Sequence, residues 1–152
     1  MKVLGIAPSS TDFKWALLDG TRAQPQLLPL PSTSQKLPAD ANEGHALLSL
    51  RRLLSTFLTE QGVECICVLQ AGQSQFGGPS AVRVKAEGII QLVGAELGLK
   101  VDLVALQSLR AQEKRFEAIA SGSPEHVLNG GDSFKPKAWR DAVLVAWWGL
   151  GV

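Results

Sequence analysis

The chain opens with three short apolar runs separated by turn-forming residues, a pattern typical of β-strands. The first two runs span residues 2–6 and 13–18, and an Asp19-Gly20 turn follows the second. The third run, residues 26–30, lies between prolines, which favours an edge strand because proline cannot donate a ladder hydrogen bond. The pattern therefore predicts an antiparallel meander of three strands.

Further along the chain, apolar residues recur at the spacing of amphipathic helices, and these alternate with strands. Asn42 is a predicted N-cap for a first helix that ends before Gly62. The other helices are predicted over residues 82–97, 109–119 and, after Pro136, to about residue 148. Strands are predicted at residues 63–69 and 101–106, and loops at residues 31–42, 71–80 and 121–133. The strand at 63–69 is apolar on both faces, which favours a central, parallel position.

This order of elements predicts the fold class. Three meandering strands followed by alternating helices and strands form an α/β domain with a mixed sheet and helices on both faces. The 152 residues match the size of one domain, so we expect a single domain over residues 1–152.

Composition and charge exclude several classes of protein. With 45% apolar residues, the chain is too hydrophobic for a disordered protein. The net charge of +1 is unlike that of a strongly basic nucleic-acid binder, although a local basic patch is compatible with it. The longest uncharged apolar run, residues 142–152, is shorter than the roughly 20 residues of a membrane span. We expect a cytoplasmic protein without a membrane partner.

The two cysteines stand two residues apart, at Cys65 and Cys67. On one strand they face the same side with poor geometry for a disulfide bond, so we expect reduced thiols. Two thiols without a nearby histidine are too few for a zinc site, and His45 and His126 are distant in sequence. The sequence therefore predicts no metal site.

Three segments carry a resemblance to a known family. The opening, MKVLGIAPSSTDFKWALLDG, and the order of elements resemble the RNase H-like fold, and within it the RuvC Holliday-junction resolvases. Residues 4–10 match the frame of the family's first strand, residues 65–70 its fourth strand, and residues 139–143 its last helix. Residues 77–93, GGPSAVRVKAEGIIQLV, also resemble an uncharacterised family of small bacterial RuvC-like domains.

The resemblance implies a degenerate nuclease site. Such nucleases need about four carboxylates around two Mg²⁺ ions. The corresponding positions in this chain are Ala7, Gln70, Ala138 and Asp141. Only Asp141 is an acid, and one carboxylate cannot balance two divalent cations. We expect a non-catalytic binding or scaffolding domain without a metal cofactor, with branched or structured nucleic acid as its ligand.

Two other interpretations stay open on the sequence. In the first, Asp141 acts with a substitute acid, Glu87 or Asp12, as a nuclease that depends on Mg²⁺ or Mn²⁺. In the second, the chain is a protein-interaction module without a nucleic-acid role. The last helix bears on the second interpretation because it is apolar nearly all round, so that Trp147 and Trp148 are core residues or a subunit contact. A homodimer is compatible with the resemblance.

Polar and basic residues near the degenerate site form a candidate phosphate-binding rim. They follow the fourth strand or begin the last helix, at Gln73, Gln75, Arg83, Lys85, Lys135, Lys137 and Arg140. Ordinary surface charge and a plain connecting loop explain the same residues without any ligand.

Overall fold

The computed structural model describes residues 1–9, 11–37, 40–70 and 81–151, and these contain six strands and five helices. The strands are β1 (Val3–Pro8), β2 (Asp12–Gly20), β3 (Pro25–Leu28), β4 (Ser34–Lys36), β5 (Cys65–Leu69) and β6 (Lys100–Val104). The helices are α1 (Glu43–Gln61), α2 (Ala81–Glu96), α3 (Ser108–Ala120), α4 (Pro124–Leu128) and α5 (Lys137–Gly149). Within the described residues, no helix is long and apolar enough to cross a membrane.

All six strands belong to one mixed sheet with the order β3-β2-β1-β5-β6, and β4 pairs with β2. The β1–β2 and β2–β3 pairs are antiparallel, whereas β5 lies parallel to both β1 and β6. Every residue of β1 and of β5 is buried. The predicted meander, the central position of β5 and the mixed sheet are thus confirmed.

Helices cover both faces of the sheet, as predicted. Alternate residues of β1 point to opposite faces, so Leu4 and Ile6 join the core beneath α1 and α2, and Val3 and Ala7 join the core beneath α5. The first of these cores also holds the leucine stripe of α1 and the buried side of α2. The second core, which contains most of α5, is called the α5 core below.

Gly5 allows α5 to lie directly on β1. A Cβ atom built on Gly5 would lie 2.0 Å from the carbonyl oxygen of Ala142 and 2.7 Å from the Cβ of Ala146. At the other end of the helix, a Cβ built on Gly149 would lie 2.7 Å from the Cγ1 of Val3. The helix α5 therefore runs antiparallel to β1, and its first turn lies towards the carboxyl end of that strand.

Local signals set the helix ends. The Asn42 side chain accepts a hydrogen bond from the backbone N–H of His45 at 3.0 Å, which confirms Asn42 as the N-cap of α1. Gly62 ends that helix with a φ of 65°, a left-handed conformation that favours glycine. Pro136 directly precedes α5.

Trp147 is a core residue, as the first of the two interpretations of the last helix predicted. Its indole is fully buried, its Nε1–H donates to the carbonyl of Arg22 at 2.9 Å, and its ring lies 5.1 Å from that of Phe116. Trp148 is half-buried instead, with the guanidinium groups of Arg22 and Arg115 at 4.6 and 5.1 Å from its ring. The dimer stays a prediction.

Two short elements replace predicted loops. Ser34–Lys36 forms the strand β4, so the sheet has six strands where five were expected, and Pro124–Leu128 forms the helix α4. Both are too short to show a hydrophobic period, and α4 is stabilised by the Ser123 side chain, which accepts from the N–H of His126 at 3.2 Å. The predicted loop at residues 71–80 lies outside the described residues.

Candidate functional site

The carboxyl ends of the parallel strands β1 and β5 meet at one edge of the sheet, and this edge carries two of the four positions that the resemblance singled out. Because Ile6 pairs with Val68, the next residue of β1, Ala7, lies beside the end of β5. Gln70 is the residue that directly follows β5. Ala7 is 2% exposed. Gln70 is exposed, and its backbone N–H donates to the carbonyl of Val104 at 2.8 Å.

The first turn of α5 supplies the other two positions, Ala138 and Asp141. Since α5 runs antiparallel to β1, this turn lies over the same sheet edge. Ala138 packs against the α5 core, to which Ala7 and Phe134 belong. The Phe134 ring in turn meets the ring of Trp139 at 4.8 Å, in an edge-to-face contact. Two of the four positions are therefore methyl groups packed against other apolar side chains.

Asp141 is the only acid among the four positions, and it is half-buried. Burial raises the pKa of its carboxyl above the usual range, and the nearby charges of Lys137 and Arg140 oppose that rise. Within the described residues, Asp141 belongs to no group of three side chains that could hold a metal ion.

Asp12, the first candidate substitute acid, already has three partners. Its carboxylate accepts hydrogen bonds from the Lys14 ammonium at 2.7 Å, from the Ser9 hydroxyl at 2.7 Å and from the Ser34 hydroxyl at 2.9 Å. The hydrogen bond from Lys14 contributes most to lowering the pKa of Asp12 to about 2. Lys14 is the register partner of Ala7, so a cation bound through Asp12 would meet the Lys14 ammonium.

Glu87, the second candidate, lies on a helix that covers the other face of the sheet. The buried side of α2 packs into the core beneath α1, whereas Asp141 belongs to the helix over the α5 core. Glu87 is half-buried. The structure does not place Glu87 and Asp141 together in a group of three metal-ligating side chains within the described residues.

The predicted phosphate-binding rim is divided between these two helices. Arg83 is half-buried on α2, and Lys85 forms an ion pair with Glu43 of α1. Lys135 and Lys137, before and at the start of α5, are exposed and form no salt bridge with a described residue. Gln73 and Gln75 lie outside the described residues.

Arg140 is held between two helices instead of projecting into solvent. Its guanidinium donates to Glu113 of α3 at 2.8 Å and to Glu125 of α4 at 2.5 Å. Both carboxylates raise the pKa of Arg140 further above its ordinary value. Arg140 is therefore a structural link between α3, α4 and α5, and the exposed rim residues beside α5 are Lys135 and Lys137.

Sequence reasoning missed one cluster entirely. In the described part of the chain, the one group of three metal-ligating side chains is Cys65, Cys67 and Asp102, whose ligand atoms all lie within 4.8 Å of one another. Asp102 is the register partner of Cys67, and it forms an ion pair with Lys100 at 2.9 Å. Both cysteines are free and buried, as expected. Only the pairing of β5 with β6 could have located Asp102 beside the thiols.

Comparisons with known proteins identify the fold. No family model matches the chain, and no curated protein matches it. Among solved structures, RuvC from Thermus thermophilus in complex with a Holliday junction substrate aligns with a TM-score of 0.70 and 13% identity, over 97% of this chain and 90% of that one. A second Thermus thermophilus RuvC structure aligns with a TM-score of 0.69 and 15% identity, over 97% and 92% of the two chains. The protein thus has an RNase H-like fold of the RuvC type.

Proposed function

We propose that this protein is a non-catalytic RuvC-like domain that binds branched or structured nucleic acid without cleaving it. One observation carries the proposal: at the sheet edge where the resemblance places the nuclease carboxylates, Ala7 and Ala138 pack with the α5 core. The ligand class is supported by the solved RuvC of the same fold, which was captured with a Holliday junction substrate.

The residues at this edge do not fit a pair of Mg²⁺ ions. Two such ions need several anionic oxygen ligands in one place. Of the four relevant positions, Asp141 alone offers a carboxylate, and burial raises its pKa. On the strand beside Ala7, the Asp12 carboxylate is already bound to the Lys14 ammonium and is not available to a cation. This edge therefore lacks the ligands for a metal-dependent step.

The surface offered to nucleic acid is small and cationic. Lys137 is exposed near Asp141, Lys135 is exposed just before α5, and Gln70 is exposed at the end of β5. Lysines contact phosphates as point charges and carry no sequence information, so they favour recognition of backbone geometry. With a net charge of +1, the protein lacks a general attraction for DNA, and binding through two lysines is expected to be modest and sensitive to salt.

Fluorescence anisotropy tests the binding half of the proposal. A labelled four-way junction and a linear duplex of equal nucleotide content are titrated at low and moderate salt. We expect preferential binding to the junction, which weakens as salt rises. The double variant Lys135→Gln/Lys137→Gln should reduce the salt slope by about 1 for each lost phosphate contact. The matched control Arg110→Gln/Lys114→Gln removes the same charge from the exposed side of α3 and should leave the slope unchanged.

Failure of the junction to bind at low salt would overturn the nucleic-acid role and favour the protein-interaction module. Incubation with the junction, duplex and RNA in Mg²⁺ or Mn²⁺ tests the second half. We expect intact substrates. Cleavage that Asp141→Ala abolishes would overturn the non-catalytic assignment and restore the nuclease alternative.

A further inference from the structure

We propose that Cys65, Cys67 and Asp102 form a binding site for one thiophilic divalent cation of the Zn²⁺ type. The site lies within the first three residues of β5 and of β6, away from the sheet edge that carries Ala7 and Gln70. It does not depend on the proposed nucleic-acid role. Three observations support it: the positions of the three ligands, the compensation of their charge, and a neighbouring polar pocket.

The sheet itself brings the ligands together. Residues two apart on a strand face the same side, so both thiols point towards α5. Cys67 and Asp102 are partners in the parallel β5–β6 ladder, and Cys65 is paired with Lys100. The three ligand atoms lie within 4.8 Å of one another. Ligands bound tetrahedrally at the usual Zn–S length of about 2.3 Å are roughly 3.8 Å apart, so the separations between the ligand atoms need to shorten by at most about 1 Å.

The charges at this site balance when a divalent cation is bound. The thiols are buried, with 4% exposure at Cys65 and none at Cys67, and buried charges need compensation. Two thiolates and one carboxylate supply three negative charges, the ion supplies two positive charges, and the Lys100 ammonium beside Asp102 supplies the third. On binding, each thiol forms a sulfur–metal bond and releases its proton to solvent. Soft thiolate ligands select Zn²⁺ over Mg²⁺.

A pocket of about 590 Å³ leads to the half-buried member of the cluster, Asp102, and is lined by residues of β6, α3 and α5. Gln112 forms part of its wall. This side chain is 2% exposed, and its Oε1 has no hydrogen-bond partner among the described residues. A buried acceptor without a partner carries a desolvation cost that a polar occupant would relieve. The pocket thus offers an entry path for the ion and room for a water molecule as its fourth ligand, the arrangement of open zinc sites.

Cobalt spectroscopy on the full chain tests the site. The reduced, metal-stripped protein is titrated with Co²⁺, and a near-ultraviolet charge-transfer band reports cobalt–thiolate bonds. We expect a band that saturates at one ion per chain and disappears when Zn²⁺ is added. A wild-type protein without the band, or an equal band in the Cys65→Ala/Cys67→Ala variant, would overturn the proposal.

Two single variants separate ligand roles from general effects. Asp102→Asn should keep the thiolate band and weaken Zn²⁺ binding, measured against a competing chelator, by about tenfold or more. The control Glu60→Gln removes one carboxylate from the exposed side of α1, on the other face of the sheet, and should retain both the band and the stoichiometry. Equal Zn²⁺ affinity in Asp102→Asn and the wild-type protein would remove Asp102 from the site.

Thermal unfolding tests the site without relying on the cobalt–thiolate absorption band. Zn²⁺ in excess should raise the Tm of the wild-type protein and leave that of the double cysteine variant unchanged, since an ion that binds only the folded state stabilises it. If the double cysteine variant fails to fold, the Zn²⁺-dependent Tm of Asp102→Asn decides instead. A Tm rise equal to that of the wild-type protein would contradict the proposal.

Discussion

The strand β5 borders two regions that have opposite chemistry. At its carboxyl end, where the sequence resemblance implied the nuclease carboxylates, the neighbouring positions are the methyl groups of Ala7 and Ala138. In its amino-terminal half, Cys65 and Cys67 converge with Asp102 of the next strand. Both regions lie on the same sheet, and they differ in the metal-binding atoms that their side chains offer. A fold therefore locates a sheet edge, whereas the side chains on that edge determine whether any chemistry is possible there.

The largest effect is expected at Gly5, where α5 lies on β1 and brings Ala138 towards Ala7. In Gly5→Ala, the new methyl group would meet the Ala142 carbonyl, 2.0 Å away, and backbone cannot move aside as a flexible side chain can. We expect a loss of about 3 kcal/mol of unfolding free energy, or a Tm lower by roughly 6–12 °C. Differential scanning calorimetry measures this change.

The matched control is Gly88→Ala on α2. Gly88 is exposed, and a Cβ built there meets nothing within 4 Å. Alanine is the better helix former by up to about 1 kcal/mol, so this variant should be slightly more stable. Equal Tm values for Gly5→Ala and the wild-type protein would contradict the close contact between α5 and β1.

A second experiment adds the missing carboxylates to the sheet edge at the carboxyl end of β5. The triple variant Ala7→Asp/Gln70→Glu/Ala138→Asp joins three acids to Asp141 at one sheet edge. We expect it to be less stable than the wild-type protein in chelator, because Ala7 is buried. Mn²⁺ at about 100 times its Kd should then return roughly 2.7 kcal/mol, seen as a rise in Tm. The wild-type protein should show no such rise from this edge.

Metal binding by the cysteines must be excluded from that measurement, so it is repeated with the Cys65→Ala/Cys67→Ala changes in both backgrounds. A triple variant that Mn²⁺ leaves unchanged would show that the four positions do not converge. It would then remove the geometric basis for comparing this edge with a nuclease site.

The sequence predicted the elements that have a period or a cap and missed those that depend on pairing. The sequence pattern predicted the leucine stripe of α1, its Asn42 cap and the buried strand β5. The strand β4 has three residues and exists because it pairs with β2. Asp102 belongs to a thiol cluster only through the register of β5 with β6. The sequence does not indicate which residues of two distant strands are register partners. The position of Lys14 beside Ala7 was missed for the same reason.

A smaller effect is expected at Asp12, whose hydrogen bonds from Lys14, Ser9 and Ser34 require the ionised form. Its pKa falls from 3.8 to about 2 on folding, so the carboxylate stabilises the folded state above pH 3.8 and loses that contribution as the pH falls towards 2. Asp12→Asn should cost about 1–2 kcal/mol at pH 7 and less at pH 2. Urea unfolding at both pH values measures the difference. A constant difference would contradict the ionic role of Asp12.

The smallest effect, of opposite sign, is expected at Asp141. Burial raises the pKa of this carboxyl on folding, so the protonated form is favoured in the folded state. The group therefore stabilises the fold at low pH, and that contribution is lost as the pH rises through the raised pKa. Asp141→Asn should make the protein more stable at pH 7, by less than about 1 kcal/mol because the half-buried site is screened by solvent, with no gain at acid pH. A destabilised variant at pH 7 would show that a hydrogen bond or an opposite charge stabilises the Asp141 carboxylate. The sheet edge at the carboxyl end of β5 would then hold a stabilised anion, and its contrast with the thiol cluster would be lost. Parallel urea titrations of both proteins across this pH range distinguish these outcomes.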